Sequence, residues 1–208
     1  MTLDINAAES FLSKNDPVMR RLIKAYGPCT MGAKRRDPFH VLCGSIISQQ
    51  LSTKAANTIQ GRVEAKAGAK SKLTPAHLLR LQPEELRACG LSNAKSSWLK
   101  ELARRVDAGE FSFTKLRKLE DEAAIEMLDA LPGIGRWTAE MYLMFALDRP
   151  DLFAMDDVGL RNGVNRLYNQ GKKLSDRKTV SIAKTWAPWR SVASWYLWRA
   201  VEGASENW

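Results

Sequence analysis

Apolar residues recur at helical spacing along almost the whole chain. Val18, Leu22, Ile23 and Tyr26 lie on one face of a run that starts at Asn15-Asp16-Pro17, a cap followed by proline at the first helical position. Gly27-Pro28 stops it. From Phe39, the positions Val41, Leu42, Ile46 and Ile47 keep the helical period until SQQLS breaks it. Ser52 then opens a second helix with Ala55, Ala56, Ile59 and Val63 on one side. Thr74-Pro75 and Pro83-Glu84-Glu85 open two short helices, the second ending at Gly90. Further helices are predicted over 93–106, 121–131 and 158–168. Another is capped by Ser175 or Asp176, with Val180, Ile182, Ala183 and Trp186 inward, and Pro188 opens the last. No strand alternation of useful length and no repeat of 20–50 residues interrupts this pattern. The chain reads as all-α.

The stretch from Leu131 to Asp157, LPGIGRWTAEMYLMFALDRPDLFAMDD, departs from plain helix packing. It combines a tight Pro-Gly-x-Gly hairpin, an amphipathic helix, a turn and a pair of carboxylates. Gly133 and Gly135 permit positive φ and close backbone approach. The helix after them points its first N–H groups at the hairpin, a geometry suited to a phosphate. Asp156 and Asp157 precede the next helix, where a carboxylate either caps the helix or does chemistry. At the earlier join, Gln49, Gln50 and Leu51 read first as turn chemistry. They also supply what base flipping needs, a polar group for the orphaned partner and an apolar wedge for the gap.

Composition narrows the class. The 208 residues, 45% hydrophobic and 26% charged, suffice for one large core or two small helical halves. The polar linker 31–38, with Lys34, Arg35 and Arg36, is a candidate boundary between such halves. The formal net charge of +9 is concentrated: between Arg161 and Arg190 lie eight Lys or Arg and one acid, Asp176. Such a face suits a polyanion, although basic residues also serve solubility alone. Cys29, Cys43 and Cys89 are far apart and form no CxxC, which argues against a disulfide framework or zinc and for a reducing compartment. The N-terminus has no signal-peptide pattern and no apolar run reaches the roughly 18 residues of a membrane helix. A soluble, intracellular protein is expected.

The hairpin and its following RWTAE and DD, taken with SIISQQLS and PWRSVASWYLW, resemble the helix-hairpin-helix DNA glycosylase superfamily, in its alkylated-base branch of 3-methyladenine DNA glycosylase II type. The likeness covers roughly residues 35–203. It implies two helical subdomains, 36–150 and 1–35 with 151–208, with a DNA-binding cleft between them. It also implies a short form lacking the N-terminal β-rich domain of longer bacterial members. Asp157 matches the catalytic aspartate, leaving Asp156 as the expected helix cap. Trp137 stands where bifunctional relatives hold a Schiff-base lysine, so a monofunctional enzyme without lyase activity is implied. An indole also stacks well on a cationic alkylated purine.

Trp198 falls where the family has a second pocket tryptophan, and Met141 replaces a pocket tyrosine of the long bacterial members, with Tyr142 about 100° aside. The resemblance further implies phosphate contacts from Gly133, Ile134, Gly135, Arg136 and Thr138, with a monovalent cation at hairpin carbonyls. It makes Leu51 the wedge and Gln50 the gap-filling group. None of the three cysteines lies after Cys89, so no iron–sulfur cluster is expected. The implied partner is duplex DNA carrying alkylated bases, met by a monomer in a bacterial cytoplasm or a nucleus during base excision repair. Glycosylases for deaminated or oxidised bases, and a non-catalytic damage-binding protein, are the alternatives.

Overall fold

The structure is a computed structural model that describes residues 2–33, 37–70 and 72–205. Thirteen helices and no strand occur among these residues. The chain divides into two compact units, Met1–Arg35 with Asp148–Trp208, and Arg36–Leu147. The second crossing thus falls at 147–148, where the sequence put it at 150–151. The basic tripeptide Lys34, Arg35 and Arg36, read as the linker between halves, lies outside the described residues, as does Trp208.

The first unit holds α1 (Ile5–Asn15), α2 (Pro17–Tyr26), α11 (Val158–Asn169), α12 (Asp176–Lys184) and α13 (Arg190–Ser205). Helix α1 was not anticipated, since only Ala8 and Leu12 of its eleven residues reach the core. Asp4 caps it by accepting from Ala7 N at 3.0 Å. Asp16 is the cap foreseen for α2, its Oδ1 accepting from Val18 N at 2.8 Å and Met19 N at 3.1 Å. Its Oδ2 accepts from the Tyr168 hydroxyl at 2.7 Å and Trp186 Nε1 at 2.9 Å. This buried carboxylate therefore joins α2, α11 and the segment after α12, with each lone-pair direction answered. Burial, then the Asp16 carboxylate, pushes the Tyr168 hydroxyl well above its ordinary pKa.

Helices α11 and α13 pack closely because Gly163 faces Leu197 and Val201, whose atoms would stand 3.3–3.4 Å from any added Cβ. Ser175, not Asp176, caps α12, accepting from Lys178 N at 3.4 Å. Thr179, Ala183 and Trp186 turn inward there, whereas Val180, read as inward-facing, is exposed. The last helix begins at Arg190, two residues after the Pro188 expected to open it.

The second unit holds α3 (Pro38–Ser48), α4 (Thr53–Ala67), α5 (Pro75–Arg80), α6 (Pro83–Ala88), α7 (Asn93–Asp107), α8 (Phe113–Lys118), α9 (Asp121–Asp129) and α10 (Arg136–Ala146). Only α8 escaped the sequence pattern, because six residues give too little periodicity to register. Its core gathers Leu42, Cys43, Ile46 and Ile47 of α3, Leu99 and Leu102 of α7, Leu128 of α9 and Leu143 of α10. Tyr142 also goes inward, its hydroxyl donating to Pro38 O at 2.9 Å.

Two lysines of α7 close the ends of neighbouring helices. Lys100 Nζ donates to the carbonyls of Leu78, Leu79 and Leu81 at 3.2, 2.9 and 2.6 Å, finishing α5. Lys95 does the same for α3. A helix leaves its last carbonyls unpaired, and a cation there satisfies them and the helix dipole together.

Candidate functional site

In the first unit, Asp157 is the N-cap of α11. Its Oδ1 accepts from Leu160 N at 2.7 Å and from Trp198 Nε1 at 2.9 Å, and the residue is only 8% exposed. The expected cap, Asp156, is exposed instead. The cap orientation also carries the Asp157 carboxylate to the indole on α13. Trp198 is half-buried, and its indole N–H donates to Asp157. Gly159 makes this contact possible. A Cβ there would stand 3.1 Å from Asp157 Oδ1, 3.1 Å from Trp198 Cδ1 and 3.3 Å from Trp198 Nε1. Gly159 and Gly163 are one helical turn apart, so α11 turns the same bare face to Trp198 and Leu197.

In the second unit, the hairpin joins α9 to α10. Ile134 N donates to Leu131 O at 3.1 Å, closing a turn in which Gly133 takes φ +81°. An added Cβ on Gly133 would overlap the indole of Trp98, so this glycine answers both a backbone and a packing demand. Gly135 is the N-cap of α10 and supplies no side-chain cap, so the first N–H groups of that helix keep their affinity for an anion. The side chains of Ile134 and Thr138 are buried; Ile134 was expected to offer only its backbone N–H, and the burial of Thr138 leaves little of its side chain for the added contact expected of it.

Arg136 is held by acidic side chains. Its guanidinium takes both oxygens of Glu122, Nη1–Oε1 at 2.5 Å and Nη2–Oε2 at 2.9 Å, and Nε reaches Glu140 Oε1 at 3.2 Å. The bidentate pair holds α9 against α10 across the hairpin and pulls the Glu122 carboxyl below its ordinary range. The hairpin carbonyls are busy as well. Gly133 O accepts from Gln49 Nε2 at 2.7 Å and Ala130 O from Arg105 Nη1 at 3.2 Å. A monovalent cation at Gly133 O would share that carbonyl with the Gln49 amide.

Trp137, at the second position of α10, is 47% exposed, a large apolar surface left toward solvent. Met141, four residues on and half-buried, shares its helix face, whereas Tyr142 is committed to the core. At the α3–α4 join, Leu51 N donates to Ser48 O at 3.1 Å. Gln49 (φ −51°, ψ 131°) and Gln50 (φ +58°) give this the pattern of a type II turn, with glutamine where glycine is normal. Gln50 and Leu51 are exposed at its tip.

Three residues of this arrangement were not anticipated: Lys95, Trp98 and Gly159. Gly159 had a signal in its spacing to Gly163 on an amphipathic helix. The other two gave none, since their partners are distant in sequence. Of the basic residues between 161 and 190, Arg161 pairs with Asp176 at 2.6 Å and Arg190 takes Asp151 bidentately at 2.7 and 3.0 Å. Lys172, Lys173, Arg177, Lys178 and Lys184 are exposed. All three cysteines are buried and free; burial pushes the Cys29 thiol up to about 11 and that of Cys43 further, so neither is a thiolate at neutral pH. No described helix is long and apolar enough to cross a membrane.

The family model described as HhH-GPD superfamily base excision DNA repair protein matches residues 43–189. The chain is 34% identical over 212 residues to DNA-3-methyladenine glycosylase 1 of Schizosaccharomyces pombe, covering 96% of this chain and 93% of that protein. It is 32% identical to the DNA-3-methyladenine glycosylase of Bacillus subtilis, over 91% of this chain and 65% of that one. The fold matches the crystal structure of a DNA-3-methyladenine glycosidase from Bacillus halodurans with a TM-score of 0.86 and 35% identity, covering 100% of this chain and 94% of that one. It also matches the Schizosaccharomyces pombe 3-methyladenine DNA glycosylase in complex with abasic DNA, with a TM-score of 0.78 and 33% identity, over 94% and 97% of the two chains. The all-helical order of elements, the hairpin at 131–135 and these likenesses agree: the chain belongs to the HhH-GPD superfamily of base excision DNA repair proteins.

Proposed function

We infer that this protein is a DNA glycosylase that excises alkylated purines of the 3-methyladenine and 7-methylguanine type in base excision repair. The observation that carries the reading is its 34% identity to a 3-methyladenine glycosylase across 96% of its length. The chemistry of the described side chains supports it. Alkylation at a purine ring nitrogen makes the base cationic and a good leaving group, so the enzyme has to hold the base and stabilise the sugar.

Roles follow residue by residue. The unfilled N-terminus of α10 at Gly135, with the hairpin backbone of Gly133 and Ile134, takes a phosphate. Leu51 enters the stack, and Gln50 pairs with the base left behind. Trp137 stacks on the cationic purine, with Met141 as a soft wall beside it, and having no amine it forms no Schiff base. The Asp157 carboxylate faces the positive charge that grows on the deoxyribose as the N-glycosidic bond breaks. Water adds at the anomeric carbon and gives up a proton, the base leaves neutral, and an abasic site remains. Hydrolysis of this kind requires no cofactor. The protein is proposed to act as a monomer on duplex DNA, in a bacterial cytoplasm or a nucleus.

The test is incubation with methylated duplex DNA and chromatographic assay of free 3-methyladenine and 7-methylguanine. Release of both by the wild type, lost in Asp157→Asn, is expected. No release, with salt-dependent duplex binding retained, would identify a damage-binding protein. Release only from oligonucleotides with deaminated or oxidised bases would move the substrate class.

A further inference from the structure

The turn Ser48–Leu51 and the hairpin 131–135 belong to distant parts of the sequence but share a single backing. Gln49 sends its side-chain amide into the hairpin, donating to Gly133 O at 2.7 Å. Lys95 Nζ donates to the Gln49 carbonyl at 2.6 Å and to Ile47 O at 2.8 Å, holding the turn from the other side. One turn further along α7, Trp98 lies against Gly133, and Arg105 reaches Ala130 O at the hairpin's entry. Steps of three and seven residues return to nearly the same side of a helix, so Lys95, Trp98 and Arg105 present one face of α7 to both loops. The Lys95 ammonium is spent on internal carbonyls, and burial lowers its pKa, so it acts as a fastening within the protein.

The turn is also under strain. Gln50 sits at φ +58°, a conformation L residues other than glycine and asparagine avoid, and such backbone persists only when its surroundings over-determine it. Gln49 and Lys95 are those surroundings. We propose that Gln49 is a positioning residue, which together with Lys95 fixes the Ser48–Leu51 turn to the hairpin so that Leu51 enters the duplex in register with the phosphate the hairpin holds. This rests on the reading that both loops engage DNA. It goes beyond that reading in making the two contacts a coupled unit, with Gln49 as the link and not a group that touches DNA.

Gln49→Met keeps the length of the side chain and removes the donor. Fluorescence anisotropy would give the affinities of wild type, Gln49→Met, Leu51→Ala and the double variant for an undamaged duplex and for one carrying a tetrahydrofuran abasic-site analogue. Gln49→Met should reduce the preference for the analogue by about fivefold, the effect of one neutral hydrogen bond, with undamaged-duplex affinity held within about twofold. On the Leu51→Ala background the same change should add less than about twofold, because both act through the wedge. An unchanged preference, an equal loss of both affinities, or full additivity would overturn the coupling. Should Gln49→Met not fold, Lys95→Met releases the turn from its other side and must show the same loss of preference. A wild type that itself shows no preference for the analogue overturns the DNA-glycosylase reading instead, which is a separate failure.

Discussion

Trp198 Nε1 donates to Asp157 Oδ1 at 2.9 Å, so the indole on α13 aligns the carboxylate that caps α11. A hydrogen bond to a charged acceptor is worth about 1.5–3 kcal/mol. Trp198→Phe keeps an aromatic ring and loses this donor together with one of the two fused rings. Single-turnover excision should fall by about tenfold or more, with duplex affinity little changed. Measuring both on methylated duplex DNA separates this role from simple stacking, for which Phe would serve nearly as well.

Gly159 gives a second test of the same contact. Alanine is favoured over glycine in a helix by at most about 1 kcal/mol, less than the hydrogen bond it would displace, so Gly159→Ala is expected to melt below the wild type. The new methyl would stand 3.1 Å from both Asp157 Oδ1 and Trp198 Cδ1, and the indole must give way. Excision should drop to the level of Trp198→Phe. A variant that is both stable and fully active would show that the Asp157–Trp198 contact does not matter to the reaction.

The sequence carried most of this fold, and it failed in identifiable places. Caps such as Asp16, Ser52, Thr74 and Ser175 are local, and the structure finds their side chains on the expected N–H groups. Helix α8 was missed because six residues give too little periodicity, and α1 because only Ala8 and Leu12 of its eleven residues form a core-facing pair. At the site, Trp137 was legible as a pocket aromatic just past the hairpin and is exposed there, whereas nothing in the sequence marked Glu122 as the partner of Arg136. A cation's partner is decided by packing that composition does not encode. Gln49 is the clearest case: its neighbour Gln50 has the same chemistry in sequence, and only the turn's backbone sends one inward to Gly133 and leaves the other exposed.

Gln50 should behave as a strained functional residue. A left-handed backbone costs an ordinary residue about 1–2 kcal/mol, and glycine escapes this cost. Gln50→Gly is therefore expected to leave the melting temperature unchanged or higher while reducing excision, because the amide proposed to fill the gap is gone. Gln50→Asn, which tolerates the same backbone and keeps an amide, should restore part of the activity. Equal activity of Gln50→Gly and wild type would remove Gln50 from the DNA-contacting set.

Acid stability should depend on Glu101. Arg104, then Arg105, hold its carboxyl down from an ordinary value of 4.5 to about 2. A carboxyl whose pKa is depressed by folding stabilises the protein above its unfolded value, and that contribution fades as pH falls through the folded one. The wild type should therefore exceed Glu101→Gln in urea resistance at pH 6, and the gap should close between pH 4.5 and about 2. All three side chains are partly exposed, so the difference at pH 6 should be small. A gap that widened on acidification would contradict the ion pairs.

Gly133 should be the least replaceable position of the hairpin. Its φ of +81° costs any L side chain about 1–2 kcal/mol, and the Cβ would also overlap Trp98. Overpacking adds about 1–3 kcal/mol, so Gly133→Ala should lose at least about 2 kcal/mol in chemical denaturation. The two causes can be told apart. Trp98→Leu removes the overlap and leaves the backbone demand, so in the double variant Gly133→Ala should cost about half as much as it does alone. If the cost were the same on both backgrounds, backbone conformation alone would explain the glycine. If it vanished, packing against Trp98 would.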